Sequence, residues 1–433
     1  MRFSSLRGFD DHLPPDAGAR SEILRRMRAA ARLAGFQELE PPSVESLELF
    51  TAKSGAEIAK ELWSFTDKGG RAVALITEST PSLARIYSER ASAEPLPVKW
   101  FTVARVWRYQ EPQAGRAREF HQFNLDILGA SGLEAEVELL SVGAMLLDSA
   151  GAAGLYGFRL SDRPLAESIG RTLGATDLPR FFRALDSLRK VPADATRAEL
   201  AASGLAREGV DRLWSLLERS LNGVPLADAG ALFDELAACK LTEPGPAGLD
   251  RLRRLSELLP RAGVADRVRI DLSVVRGLDY YTGPVFEAYD LKGEGRALFG
   301  GGRYDTLIES FGGPPTAACG LAIGDLTLEL LLRAHGRWPE GEPPLDTFVV
   351  AVTPEMVPQA IELLARLRRA GVSADADLLG RSLSRQLKEA ARRRARRALL
   401  VGPRELARGA VLERDLASGA QTERPLTQVT PGA

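Results

Sequence analysis

Several scarcities narrow the reading of this sequence before any motif is considered. Only 2 cysteines occur in 433 residues. Cys239 and Cys319 lie far apart and show no metal-ligand spacing, which speaks against a disulfide scaffold and fits a reducing compartment. The 3 histidines, His12, His121 and His335, are too scattered for a metal site, which needs more ligands. No apolar run reaches the roughly 18 residues that cross a bilayer. The first residues, MRFSSLRGFDD, have no apolar signal core. A cytoplasmic protein without membrane contact is the expectation. Net charge is −1, so there is no global attraction to nucleic acid, and any such binding must come from local basic patches. Repeats and low-complexity segments are also missing from the chain. What remains, 45% hydrophobic and 27% charged residues, is ordinary for a globular protein, and the length implies two or three domains.

Periodicity divides the chain. The Pro14-Pro15 pair reads as a stop, with Asp16 capping a helix that ends near Gly35. A strand near 36–40, a helix over 44–50 and a hairpin through Trp63–Ile76 follow. Pro81 opens a helix, and a long apolar helix is expected over 133–153. From about 162 to 260 the pattern is helical and rich in Leu, Ala and Arg, as an inserted module is. Strand character returns at 268–272 and 277–290, and a helix is expected over 324–334. The stretch GRWPEGEPPL (336–345) suits a domain boundary. Beyond it, strands at 348–352, 372–376 and 398–401 alternate with helices at 358–370 and 382–394. Such alternation predicts an α/β unit with a parallel or mixed sheet.

Chemistry concentrates in FTVARVWRYQEPQAGRAREFHQFNLDILG (101–129). Two alternating strands flank a Pro- and Gly-bearing tip. Charge on a core-facing strand is costly unless it meets a ligand. Arg105, Arg108, Arg116 and Arg118, with Gln122 and Asp126, therefore read as a floor for a polyanionic, zwitterionic substrate. Taken alone, GGGRYD (300–305) is a weak signal, because glycine-rich turns are common. The eight basic residues between Arg381 and Arg397, opposed there by Glu389, are of a kind usually found on solvated helix faces.

Together these stretches resemble histidyl-tRNA synthetases. The hairpin Arg108–Gln122 looks like the family's motif 2, RGLDYYTG (276–283) with Phe286-Glu287 like its histidine-binding signature, and GGRYD like a third motif. The Pro41-Pro42 region is similar to motif 1 of the dimer interface, and residues 346–433 are similar to the anticodon-binding domain. The resemblance implies a class II antiparallel sheet of six or seven strands flanked by helices, in an α/β and α+β multidomain chain. It divides as catalytic core 1–161, helical insertion 162–262, catalytic core 263–335, linker 336–345 and anticodon-binding domain 346–433. It further implies a homodimer that activates histidine with ATP and Mg²⁺ and transfers it to the 3′ end of tRNA(His), with no tightly bound metal or organic cofactor. By the match, Arg108 and Arg276 hold the α-phosphate, always-ionised guanidiniums being suited to the charge that grows there. Arg276 also meets the histidine carboxylate. Glu78, Thr80 and Gln122 receive the ammonium, and Asp126 and Tyr281 read the imidazole, with Tyr280 turned inward. Gln110, Gln113, Arg116 and Arg118 serve ATP or the tRNA acceptor end. The basic run becomes a candidate phosphate contact.

Three positions depart from the family pattern. Ile76-Thr77 replaces Arg-Pro before Glu78, Gln110 replaces a glutamate, and Thr327 stands where an arginine grips adenine and the γ-phosphate. Loss of that cation is worth about 2–4 kcal/mol of transition-state binding. The departures keep a second reading open: a paralogue that binds histidine or tRNA without aminoacylating, such as the regulatory subunit of ATP phosphoribosyltransferase.

Overall fold

A computed structural model describes residues 3–51, 61–221, 223–277, 280–292, 297–341 and 345–429. The chain separates into two units, Met1–Pro339 and Glu340–Ala433.

The first unit opens with α1 (Pro14–Leu33), then β1 (Gln37–Glu38), β2 (Val44–Ser46), α2 (Leu47–Thr51), β3 (Ser64–Thr66), β4 (Ala72–Leu75) and α3 (Thr80–Arg90). The central hairpin is β5 (Val98–Trp107) and β6 (Glu119–Leu128), followed by α4 (Glu134–Leu147) and β7 (Tyr156–Asp162). A helical run comes next: α5 (Arg163–Thr172), α6 (Leu178–Ser187), α7 (Ala193–Ala202) and α8 (Arg207–Ser220). After β8 (Val224–Pro225) it continues with α9 (Gly230–Ala238) and α10 (Gly245–Leu258). The chain then returns to strand in β9 (Val268–Ile270), β10 (Pro284–Asp290) and β11 (Ala297–Arg303). The unit ends with α11 (Leu307–Ser310), β12 (Ala318–Gly324) and α12 (Asp325–Ala334).

One sheet organises this unit, in the order β1-β5-β6-β12-β11-β10-β7-β9-β8. Neighbours from β5 to β7 pair antiparallel, whereas β1 on β5 and β9 on β7 are parallel. Nine strands stand where six or seven were implied. The surplus comes from edge strands of two or three residues, β1, β8 and β9; β1 and β9 fall on the strands expected near 36–40 and at 268–272, and β8, of two residues, is too short to leave a periodic signal.

The two faces of the sheet differ because strand side chains alternate. On one face Phe123, Leu125 and Ile127 of β6 join Leu321 and Ile323 of β12, Phe286 of β10 and Phe158 of β7. They pack against Ile23 and Met27 of α1 and Leu139 of α4 in the main core. Intervening positions form the other face. One row crosses it as Asn124, Ala322, Gly300, Glu287 and Arg159. A parallel row carries Asp126, Gly320 and Gly302. Polar and glycine residues in the middle of a sheet make a floor rather than a core.

Local departures from the sequence expectations have physical causes. Pro14 and Pro15 begin α1 instead of stopping the chain before it, since a first-turn proline lacks only an N–H that has no helical partner. Asp16 makes no cap. It lies in the first turn and pairs with Arg333 at 2.5 Å. Residues 44–46 pair with β4 as a strand before a five-residue helix begins. The long helix over 133–153 ends at Leu147, and a wider turn reaches Ala152 through Gly151 at φ 102°. Gly300–Gly302 lie within a central strand and not in a turn.

The second unit contains β13 (Thr347–Ala351), α13 (Val357–Arg369), β14 (Ala374–Ala376), α14 (Leu383–Arg392) and β15 (Arg397–Val401). It closes with α15 (Pro403–Leu406), β16 (Ala410–Asp415) and β17 (Gln421–Pro425). The sheet order is β14-β13-β15-β16-β17, parallel around β13 and antiparallel beyond β15. The β16–β17 hairpin is absent from the sequence reading because its strands carry Glu-Arg-Asp and Thr-Glu-Arg, without an alternating apolar face.

Candidate functional site

A cavity of about 950 Å³ opens on the polar face of the first unit's sheet. Its lining brings together residues from distant stretches. Glu78 and Thr80 come from the start of α3, Arg108, Gln110 and Arg116 from the β5–β6 connection, and Gln122 and Asp126 from β6. Arg276, Tyr280 and Tyr281 arrive from the segment before β10. Of the twelve candidate positions, only Gln113 and Arg118 are not in the lining.

Those two are placed otherwise for local reasons. Gln113 is exposed and pairs with Arg116 through the backbone at the hairpin tip. Arg118 lies over the Tyr109 ring at 4.4 Å and donates to the carbonyl oxygens of Gln110 and Arg7. Its guanidinium braces the base of the tip. Arg105, the fourth arginine of the hairpin, is exposed and pairs with Glu119 at 2.9 Å.

At the enclosed end of the cavity two carboxyl groups meet three tyrosines. Asp126 is buried and accepts a hydrogen bond from the hydroxyl of Tyr304 through Oδ1. Burial pushes its pKa up to about 7, the Tyr304 hydroxyl opposes that rise, and Glu78 adds to it. Glu78 is itself raised, again by burial first, with Arg108 and the Tyr280 hydroxyl working against it. Both Tyr280 and Tyr281 line the cavity, and burial raises the pKa of each. The resemblance had turned Tyr280 inward, whereas here the two rings sit 5.0 Å apart on the same wall.

Buried polar atoms with no partner are rare in folded proteins. Here Gln122 Oε1, Asp126 Oδ2 and Arg276 Nε have no hydrogen-bond partner among the described residues. The three residues that carry these atoms line one cavity, which suits a polar ligand with both donors and acceptors.

The cationic part is built differently. Arg108 donates from Nε to the carbonyl oxygen of Thr77 at 3.1 Å, and its guanidinium lies 5.4 Å from the Phe120 ring centroid. Arg276 pairs with Glu287 through Nη1. Burial works against its charge, but Glu287 and Tyr281 outweigh that and raise its pKa. Its backbone is left-handed at φ 58°. Space for the guanidinium comes from Gly300, where a Cβ would fall 2.3 Å from Arg276 Cζ. Gly320 does the same for the carboxyl end, where a Cβ would fall 2.4 Å from Asp126 Oδ1 and 2.6 Å from the Tyr304 hydroxyl.

The three departures separate on inspection. Ile76 is buried in an apolar cluster with Phe50, Ala74 and Val106 and is not in the cavity lining. Gln110 lines the cavity and donates from Nε2 to the carbonyl oxygen of Ala117 at 3.1 Å, holding the tip together. Thr327 lines it too, its hydroxyl donating to the carbonyl oxygens of Leu298 and Gly324. Arg333 is taken up by Glu329 and Asp16 and lies over Trp338. It does not replace the missing cation.

Sequence reasoning left out several lining residues: Phe120, Arg159, Arg189, Lys190, Glu287 and Tyr304. Tyr304 and Glu287 stood inside motifs already singled out, and their strand register was the signal that could have found them. Arg189 and Lys190, just after α6, line a cavity whose floor is the sheet, which no local pattern reveals. Arg303 of GGGRYD is structural. It is buried, pairs with Glu136 at 2.7 Å and donates to the carbonyl oxygens of Ala130 and Gly132. His121 faces the opposite side of the sheet, its backbone N–H donating to Asp325. Among the described residues, no three His, Cys, Asp or Glu side chains gather as metal ligands would, and no helix is long and apolar enough to cross a membrane.

Comparison with known proteins finds relatives along nearly the whole chain. The family model of histidyl-tRNA synthetase matches residues 8–327, and that of the anticodon binding domain matches 346–431. A histidine–tRNA ligase of Halobacterium salinarum is 39% identical over 434 aligned residues, covering 100% of this chain and 98% of the relative. The corresponding ligase of Pyrococcus abyssi is 37% identical, with 98% and 97% covered. Among solved structures, the histidyl-tRNA synthetase of Nostoc sp. PCC 7120 superposes with a TM-score of 0.84 at 24% identity, over 98% of this chain and 97% of that one. An ATP phosphoribosyltransferase regulatory subunit/histidyl-tRNA synthetase from Bacillus halodurans C gives 0.72 at 24% identity, over 88% and 94%. These two likenesses establish the fold, and the full-length matches establish the kinship: the chain belongs to the histidyl-tRNA synthetase family.

Proposed function

We infer that this chain is a histidine–tRNA ligase. The observation that carries the reading is the single cavity in which carboxyl, amide and phenol groups of Glu78, Gln122, Asp126, Tyr280 and Tyr281 adjoin the guanidiniums of Arg108 and Arg276. An amino acid with a basic ring fits the first set, and a nucleotide phosphate fits the second.

In the activation step a carboxylate oxygen of histidine attacks the α-phosphorus of ATP, which enters as its magnesium complex. The P–O bond to the β-phosphate breaks, pyrophosphate leaves with the electron pair, and histidyl adenylate remains. Arg108 and Arg276 stabilise the negative charge that grows on the α-phosphate, and Arg276 also orients the attacking carboxylate. Glu78, Thr80 and Gln122 receive the α-ammonium. Asp126 and Tyr281 hydrogen-bond the imidazole, with Tyr280 beside them. A site that pairs both ring nitrogens rejects isosteres, because a wrong ligand leaves its own buried groups unpaired. In the transfer step a ribose hydroxyl at the tRNA 3′ end attacks the activated carbonyl carbon, and AMP leaves. Gln110 and Arg116 face the outer phosphates or the acceptor end, and Gln113 and Arg118, at the hairpin tip, serve the RNA side. The Pro41-Pro42 region, similar to motif 1, serves a homodimer.

The reading of a non-aminoacylating paralogue is less well supported. Ile76 belongs to the core, and the Halobacterium salinarum and Pyrococcus abyssi relatives, matched over nearly their whole length, are ligases by name. The test is histidine-dependent ATP–pyrophosphate exchange with charging of tRNA(His). Histidine binding in a calorimeter without any exchange would refute the ligase reading.

A further inference from the structure

In the stretch from Arg276 to Gly283, the residues Arg276, Gly277, Tyr280 and Tyr281 line the cavity, and none of these four belongs to a helix or a strand. Arg276 at its start adopts the left-handed backbone that non-glycine residues avoid, at φ 58°. Such a conformation persists only where the surroundings over-determine it. The backbone of Arg276 is held from one side by Arg163, the first of α5. Its Nη1 donates to the carbonyl oxygens of both Val275 and Arg276, at 2.9 and 3.1 Å. Its own backbone N–H donates to the carbonyl oxygen of Gly283 at 3.1 Å. Both ends of the segment are therefore tied to a single position.

That position is itself firmly held. Asp162, just before it, caps α5 by accepting from Leu165 N at 3.0 Å and takes two hydrogen bonds from Arg251 of α10, at 2.8 and 2.9 Å. The Arg163 guanidinium is buried and lies 4.3 Å from the ring centroid of Phe182 in α6. A buried guanidinium is costly unless its donors are used. Here they hold the carbonyl oxygen of the very residue whose side chain reaches Glu287 and the cavity.

We propose that Arg163 is a positioning residue: by bracketing Arg276–Gly283 it holds Arg276 in its left-handed conformation and so aims that guanidinium at the reacting carboxylate and phosphate. Through Phe182 and Asp162 it makes the packing of the helices that follow β7 a determinant of the chemistry. The proposal rests on the ligase reading and adds to it a residue that does not line the cavity.

The test compares Arg163→Met and Arg163→Lys with the unsubstituted enzyme in histidine-dependent ATP–pyrophosphate exchange. The methionine variant is expected to lose about 10- to 100-fold in kcat, with KM for ATP within about threefold, because an interaction used mainly in the transition state is misaligned. Lysine, which retains a charged donor, should recover to within about tenfold of the unsubstituted enzyme. A folded methionine variant with unchanged kcat, or one changed only in thermal midpoint, overturns the proposal. Should the methionine variant not fold, the lysine variant decides: a lowered kcat at constant KM for ATP supports positioning, and an unchanged kcat overturns it. If the unsubstituted enzyme shows no exchange, the ligase reading alone falls. Histidine affinity by calorimetry then decides for Arg163, an affinity weakened about tenfold supporting the bracket and an unchanged one refuting it.

Discussion

Asp126 is the residue on which most of the site's electrostatics act. Its folded pKa of about 7 lies above its ordinary value of 3.8, so the folded protein holds this proton where the unfolded chain has released it. By linkage the group's contribution to stability is complete below the unfolded value and is lost as pH rises toward about 7. Asp126→Asn removes this loss. Its thermal midpoint relative to the unsubstituted protein should therefore rise between pH 5 and pH 8, by an amount on the order of a few kcal/mol in stability. Denaturation of both proteins across that range checks it, and a constant difference would contradict the assignment. The same variant should bind histidine more weakly at pH 8, because an amide replaces the ionised acceptor. A second residue-scale expectation concerns Thr327. An arginine there restores a cation on the adenine side at the cost of the hydroxyl's one donated hydrogen bond, shared between the carbonyl oxygens of Leu298 and Gly324 and worth about 1 kcal/mol. Thr327→Arg should lower KM for ATP by about threefold or more. No change would mean that another lining cation, Arg116 being the nearest in sequence to Arg108, already provides that contact.

At the scale of elements, β11 explains why the cavity can exist. Gly300 and Gly302 leave its cavity face without side chains, while Gly301 between them faces Phe286 and Leu321 on the core side, and Arg276 lies over Gly300. Gly300→Ala places a methyl group against the end of a flexible side chain. Stability should change little, within about 1 kcal/mol, while histidine-dependent exchange should fall at least about tenfold because the guanidinium is displaced. Parallel measurement of thermal midpoint and exchange separates the two effects, and equal loss in both would point to a damaged sheet instead. This strand also marks the limit of sequence reading. The β5–β6 hairpin was legible because its alternation and its motif lie within 29 consecutive residues. The Gly-rich stretch looked like a turn, because nothing local says that its neighbours on both sides are strands. Tyr304 escaped for the same reason: its hydroxyl meets Asp126 across 178 residues of sequence, a distance that only sheet register closes. Arg163, which opens a helix, carried no signal of the carbonyls it holds.

At the scale of the whole molecule, a net charge of −1 leaves RNA binding to local fields, and the second unit has one candidate. Glu389 on α14 takes ion pairs from Arg381 at 3.0 Å, from Arg392 and from Arg393 at 3.1 Å, and hydrogen bonds from these arginines, Arg392 foremost, hold its pKa down to about 2. Asp375, Asp377, Glu340, Asp346 and Glu413 also pair with arginines of the run, which leaves Arg385, Lys388 and Arg396 without an ion pair among the described residues. Of these, Arg396 is exposed. A solvated face would place these charges in the same way, so the distinction is functional. Phosphates contacted by cations release counterions, and each contact adds about 0.7–0.9 to the slope of log K against log salt, the lower figure applying to single strands. Replacing Arg392, Arg393 and Arg396 together with alanine should flatten that slope for tRNA(His) by about 1 to 3. Histidine-dependent exchange without tRNA should stay unchanged, since these residues lie in the other unit. Titrations at a series of salt concentrations measure the slope directly. An unaltered slope would return the run to the status of a solvated helix face, and RNA recognition by this unit would then have to come from another of its surfaces.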